Sequence, residues 1–317
     1  MRSKKVVVFG GGTGISYLLR GLKDFPIDIT AVITVSDNGR STGKLRKEFH
    51  TPAVGDIRQV ITNLSSIDDP IKKMMSYRFK TSSDLNGHAV GNLILTSMLE
   101  ITGSLQESIK CLSKLLDVRH TILPISEDSD LTLMGEDSEG NIIEGEEEIT
   151  KSPNHIEKIF YKKEPKVLPE VIKAINEADL IILSMGSLYT SILPNIICKE
   201  VQLALEDAKV PIMYVCNAVT QPGETDNFKV SDHVKLFNRY LKNRKVDVVI
   251  ASNTKIDKEI AKKYETEEQK DPVEIDYEEL DNIGVELIED DLITVEDNTI
   301  RHNSLKLSAH IFSYLMR

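Results

Sequence analysis

The sequence holds 317 residues with 39 basic and 50 acidic side chains, a net charge of −11. That length suits one large α/β core or two smaller ones, and that charge excludes a general nucleic-acid binder, which needs a basic face. No apolar run reaches the length of a membrane-spanning helix, and Val6–Phe9 is too short for a signal-peptide core, so the expected location is the cytoplasm.

The first element is the most telling. Val6-Val7-Val8-Phe9 predicts a buried strand that runs into Gly10-Gly11-Gly12-Thr13-Gly14, and Ile15–Leu22 then has helical apolar spacing. A strand, a glycine turn and a helix start present unpaired N–H groups to an anion, so Gly11, Gly12, Thr13 and Gly14 are candidate phosphate contacts. The dinucleotide fingerprint is absent, because Ile15 stands where its third glycine belongs.

A second strand, Ile29–Val35, ends in Ser36–Gly43. Asp37 there suits a ribose hydroxyl or a hydrated Mg²⁺, Arg40 suits a phosphate, and Asn38 and Ser41 add polar lining; the alternative is an Asx-rich surface turn. Asp56 opens the helix Ile57–Leu64 and serves either as its cap or as a catalytic group. His88 precedes another apolar helix, as a proton shuttle, a phosphate ligand or a simple helix-start residue. Asn92 lies inside that apolar stretch and needs a partner if buried, which makes it a ligand candidate. Leu105–Val118 is amphipathic. The cysteines Cys111, Cys198 and Cys216 form no CxxC pair and are expected to be buried thiols in a reducing compartment.

Residues 122–165 break the pattern. Ile122–Ile149 alternates and carries the run Glu144-Gly145-Glu146-Glu147-Glu148, which predicts a small antiparallel hairpin insertion. The acid run is expected to be a solvated edge rather than a cation site.

The remaining elements return to alternation. They are the helix Leu168–Glu177, the strand Leu180–Ser184, the helix Ile196–Ala208, the strand Ile212–Cys216, the helix Asp232–Lys242 and the strand Val246–Ala251. A loop, Glu265–Asp276, is broken by Pro272, and Leu305–Leu315 is a terminal amphipathic helix. Gly186 and Ser187 form a second glycine and hydroxyl turn for a phosphate or sugar. Asn217, Thr220 and Gln221 follow the next strand as a base or sugar reader, and Glu224 or Asp226 is a metal ligand or base. The whole, residues 1–317, is expected to form a single α/β unit with a mostly parallel sheet and helices on both faces. Asp37, Asp56 and Glu224 are the catalytic candidates. Asp37 and Glu224 are the metal candidates.

Together, Gly10–Gly14, Ser36–Gly43, Gly55–Arg58, Gly87–Asn92, Gly186–Asn195 and Asn217–Asp226 resemble the YvcK/CofD family. Ser252–Ile256 with Tyr264, Pro272-Val273 and Arg301 resembles its YvcK branch. Ser184 and Met185 replace the Gly-Pro that usually begins the family's second turn. The resemblance implies a Rossmann-like core and two activities. CofD proteins are transferases that join a phospholactyl group to a deazaflavin, and would need Mg²⁺ here. YvcK proteins bind UDP-sugars, notably UDP-N-acetylglucosamine, and support cell shape and growth on gluconeogenic carbon sources. By the same resemblance, Tyr264 and Arg301 are UDP-sugar contacts and Ser304 is a regulatory phosphorylation site for a Ser/Thr kinase, or else the cap of the last helix. NAD is a further occupant of the cleft. Cell-wall synthesis proteins and a second copy of the chain are the expected partners.

Overall fold

The computed structural model describes residues 2–256, 262, 264, 266, 269–296 and 299–317, the side chains of Arg40 and Glu296 apart. Its main sheet is built from β1 (Lys4–Gly10), β2 (Ile27–Ile33), β3 (Thr121–Pro124), β7 (Leu180–Leu183), β8 (Ile212–Val215), β9 (Val248–Ser252) and β10 (Glu286–Asp290). The strand order is β10-β9-β8-β7-β1-β2-β3, and every neighbouring pair is parallel. Val6–Phe9 and Leu180–Leu183 are fully buried, as expected of central parallel strands covered on both faces by crossover helices.

The order fixes where a ligand belongs. From β1 the chain first moves to β2 and β3, and it later returns to the other side of β1 through β7, β8, β9 and β10. Right-handed crossovers therefore place the first helices and the later ones on opposite faces of the sheet. The reversal lies between β1 and β7, and the crevice beyond their carboxyl ends is the switch point where such sheets bind ligands.

The insertion is larger than a hairpin. β4 (Leu133–Asp137), β5 (Ile142–Glu144) and β6 (Ile156–Tyr161) form a three-stranded antiparallel sheet, with the short helix Glu146–Thr150 between β5 and β6. Residue 122 does not begin it: Thr121–Pro124 is an edge strand of the parallel sheet, paired with β2. Asp137 ties the β4–β5 turn, accepting from the backbone of Glu139 and Asn141 and from the side chains of Asn141 and Asn154. These donors hold its carboxyl down at about 2.

One cysteine departs from expectation. Cys198 and Cys216 are buried, but Cys111 is exposed. The helix Leu105–Leu115 buries Leu105, Ser108, Ile109 and Leu112, and Cys111 lies off that stripe.

The chain closes with the hairpin β11 (Ile293–Glu296) and β12 (Thr299–His302), then the helix Ser304–Leu315. Asn303 caps that helix by accepting from Lys306 N–H, so Ser304 is its first residue and not its cap. The helix packs on the first helix, Gly12–Leu22, so closely that a Cβ at Gly21 would run into the Ser304 carbonyl oxygen. Asp290 anchors it through Lys306 at 2.8 Å and His310 at 2.7 Å. No described helix is long and apolar enough to cross a membrane.

Candidate functional site

Two glycine turns meet at the switch point. A Cβ on Gly14 would collide with the Met185 carbonyl oxygen, so the first turn can lie against the second only without a side chain. Gly186 adopts φ +138°, a region L residues rarely enter. Asn217 fixes that backbone from both sides, accepting from Gly186 N–H and donating to Gly186 carbonyl, each at 2.8 Å. Both polar ends of Asn217 are thereby used, so it positions the turn. The Ser184 side chain, in the place of the usual glycine, lies against Gly10 and donates to the Met185 carbonyl at 3.2 Å.

The crevice has two halves that share Thr150. The first, of about 420 Å³, lies between the Asp37 loop, the helix Gly55–Leu64 and the insertion. Asp56 does not cap its own helix. Its carboxylate accepts from Gly12 N–H at the start of the neighbouring helix. Burial and the nearby charge of Asp37 push it up to about 7, against the pull of that N–H and of Arg58. Asp37 accepts from Gly39 N–H and meets Glu146, whose carboxyl is raised by burial, by the Asp37 charge and by a side-chain hydrogen bond with Asp37. Glu146 is half-buried in this cavity, which corrects the solvated-edge expectation for that residue. Arg46 clamps the loop to the insertion through the carbonyls of Ser36, Asp37, Ser129 and Leu131. Asn38 accepts from Glu147 N–H at 2.9 Å and so seats the short acidic helix.

A polar chain stands behind this half. Ser41 bonds to His88 Nδ1 at 3.0 Å and accepts from Asn92, and Asn92 accepts from Arg58 Nε at 3.2 Å. Ser41, His88 and Asn92 are buried, so they hold Arg58 in place while Arg58 and Arg78 line the cavity. Thr13 accepts from Gln59 at 3.2 Å on the outer lip. The Arg40 side chain lies outside the described residues, as does the beginning of the loop expected at Glu265–Asp276.

The second half, of about 570 Å³, is lined by the two glycine turns, the Asn217–Pro222 segment, Lys270, Ile300 and His302. Thr220 is buried and accepts from Asp271 N–H at 2.8 Å. Gln221 donates to Glu224 at 2.7 Å. Glu224 is 1 % exposed and also accepts from Ser187 and the Tyr189 N–H. It braces the second turn and offers no open ligand site to a metal. Burial raises its carboxyl to about 7 against those donors.

Arg301 stands 4.9 Å over the ring of Tyr17, one helical turn beyond Thr13. It meets no carboxylate among the described residues. Tyr264, expected to stack on the ligand, is 5 % exposed, and its hydroxyl accepts from Ile300 N–H at 2.8 Å. It clamps the strand that carries Arg301.

The family model for 2-phospho-L-lactate transferase CofD matches residues 6–293. The chain belongs to the CofD family. Among CofD relatives it is 41% identical over 312 residues to the gluconeogenesis factor of Bacillus subtilis, covering 98% of each chain. It is 40% identical to the gluconeogenesis factor of Halalkalibacterium halodurans, covering 98% of this chain and 96% of that one. A crystal structure of a upf0052 family member from Bacillus halodurans superposes with a TM-score of 0.94 at 40% identity, over 98% of this chain and 99% of that one.

Members of the CofD family raise the question of a divalent cation. Among the described residues no three Asp, Glu, His or Cys groups are placed to cage one ion. Mg²⁺ does not require a cage, since it keeps several waters and takes one or two carboxylates plus substrate phosphate. Asp37 and Glu146, adjacent carboxyl oxygen donors beside Asp56, fit that requirement. Arg78 and His302 escaped the sequence reading; Arg58 entered it only as the end of Gly55–Arg58, and Glu146 only as one charge of the acid run.

Proposed function

We propose that this chain is a regulatory protein that binds UDP-N-acetylglucosamine and acts in growth on gluconeogenic carbon sources and in cell shape. The observation that carries the reading is a guanidinium that meets no carboxylate among the described residues, near the glycine turn at the start of the first helix. Arg301 is held over Tyr17 by ring stacking and by the Tyr264 clamp on its strand. The diphosphate lies over Gly10–Gly14 with Arg301 closing on it, because a planar fork and a helix N-terminus both favour phosphate oxygens. The uridine and sugar occupy the half beyond Gly186. The names of the relatives support the metabolic part of this reading. Ser304, the first residue of the last helix and three positions from Arg301, is where a kinase would add negative charge to the same wall.

Calorimetric titration of wild type and Arg301→Ala with UDP-N-acetylglucosamine, UDP and NAD, with and without Mg²⁺, tests it. The expected result is sugar-nucleotide binding weakened at least about tenfold by the substitution, about 1.4 kcal/mol. No binding at millimolar ligand, or equal binding by Arg301→Ala, overturns it.

A second reading is a Mg²⁺-dependent phospholactyl transferase of CofD type, favoured by the carboxylate of Asp56 at the glycine turn. A phosphate placed there meets negative charge unless a cation intervenes. A cation held by Asp37 and Glu146 would neutralise the ligand's phosphates and polarise the reacting one. Arg58 and Arg78 would orient the acidic partner. Product formed from a deazaflavin acceptor in the presence of Mg²⁺ decides for this reading.

A further inference from the structure

The half of the crevice beyond Gly186 has a hydrogen-bonding bias that its residue names conceal. Asn217 spends both ends of its amide on Gly186. The Thr220 hydroxyl receives Asp271 N–H, and the Ser187 hydroxyl is shared between Glu224 and Thr190. Gln221 gives its N–H to Glu224 and keeps a carbonyl oxygen. His302 Nε2 lies 3.1 Å from the Cys216 carbonyl oxygen. A carbonyl can only accept, so Nε2 carries the proton and Nδ1 carries the lone pair. Nδ1 has no partner among the described residues and is not one of the side-chain atoms sealed from solvent. Met185, Ala218, Val219, Pro222 and Ile300 supply apolar surface around it, which suits a flat ring better than a sugar.

We propose that His302 is a specificity-determining residue whose Nδ1 accepts a hydrogen bond from the ring N–H of a uracil (N3) or guanine (N1) base. The inference rests on the nucleotide-binding reading above. Adenine and cytosine present a ring lone pair where uracil and guanine present N–H. Either would set acceptor against acceptor and leave Nδ1 unpaired in a partly desolvated place. Burial holds the imidazole down at about 4, so the ring is neutral near pH 7 and keeps this polarity.

The test uses the full chain and paired ligands: UDP with N3-methyl-UDP, GDP with N1-methyl-GDP, and CDP and ADP alongside. His302→Gln can retain an N–H toward Cys216 and lacks the acceptor. His302→Asn retains an acceptor near the Nδ1 position and lacks the N–H. Wild type is expected to bind UDP or GDP at least about tenfold better than its methylated form and better than CDP or ADP. The Gln variant should lose that selectivity to within about twofold, and the Asn variant should keep it. If His302 only braces Cys216, Gln resembles wild type, Asn weakens all ligands alike, and the methyl penalty is the same in every protein; that result overturns the proposal. Binding of no nucleoside diphosphate by wild type overturns the nucleotide reading together with it, whereas binding with unchanged selectivity in the Gln variant overturns the role of His302 alone.

Discussion

Two cavities of nearly equal size stand on this molecule, and they handle charge in opposite ways. One, of about 430 Å³, lies by the amino ends of β1 and β2, between the helices Leu105–Leu115 and Pro169–Glu177. Its lysines are matched: Lys5 and Lys173 face Glu177 at 2.6 and 3.9 Å, and Lys110 faces Glu107 at 2.7 Å. The other, of about 420 Å³, lies at the carboxyl ends. There Asp37, Asp56 and Glu146 crowd one another, while Arg58 and Arg78 spend donors on Asn92 and a backbone carbonyl. Volume does not separate the two. Uncompensated charge does, because a fold retains such groups at a cost that a ligand can offset.

That contrast can be broken at several points, the strongest first. Gly14→Ala drives a Cβ into the Met185 carbonyl, where neither backbone can yield. It should cost about 3 kcal/mol in urea unfolding and abolish ligand binding.

Glu224→Gln tests the cost of a buried carboxylate behind the second turn. The folded state favours its neutral form, so its contribution is complete below the ordinary value of 4.5 and lost as pH rises through about 7. The variant should therefore be more stable than wild type at pH 8, on the order of 2 kcal/mol, and nearly equal at pH 4. Equal stability at both would mean the carboxylate is not strained.

Glu146→Gln replaces a carboxyl that burial and the Asp37 charge already push toward its neutral form. Metal-free UDP-sugar binding should change less than about twofold, while any enhancement by Mg²⁺ should fall about tenfold. Retention of the Mg²⁺ effect would remove Glu146 from the cation reading.

The matched cavity should be the quiet one. Lys5→Met removes a half-exposed pair and should shift stability by less than about 1 kcal/mol, leaving nucleotide binding untouched. A large effect on binding would erase the distinction between the two ends of the sheet.

The architecture was legible where burial imposes a pattern. The central strands β1, β2, β7, β8 and β9 read as short apolar runs, and the Gly10–Gly14 and Gly186 turns fall at their ends. The edge strands were not legible. Thr121–Pro124 is short and ends in proline, and Glu286–Asp290 is mostly acidic, as edges that discourage further pairing tend to be. In the site, residues next to a strand end announced themselves, but their roles did not. Asp56 was visible, yet the N–H it accepts belongs to a helix much earlier in the chain. Glu146 looked like one charge in a solvated run, and only the placement of the insertion against Asp37 turns it inward. Asn217 looked like a ligand contact because polarity is a local fact, and Tyr264 only through the family resemblance. Their partners, Gly186 and Ile300, are tertiary ones.

The contact between the first helix and the last also sets a schedule. Gly14 and Tyr17 leave the ribosome long before Arg301 and the helix that seats it. A nascent chain can build the sheet in order, yet the contact of Arg301 with Tyr17 forms only after Arg301 has emerged. On the reading proposed above, ligand binding would thus be a report of completion: a product cut short before that residue, however much of the core it folds, would lack the guanidinium assigned to the diphosphate.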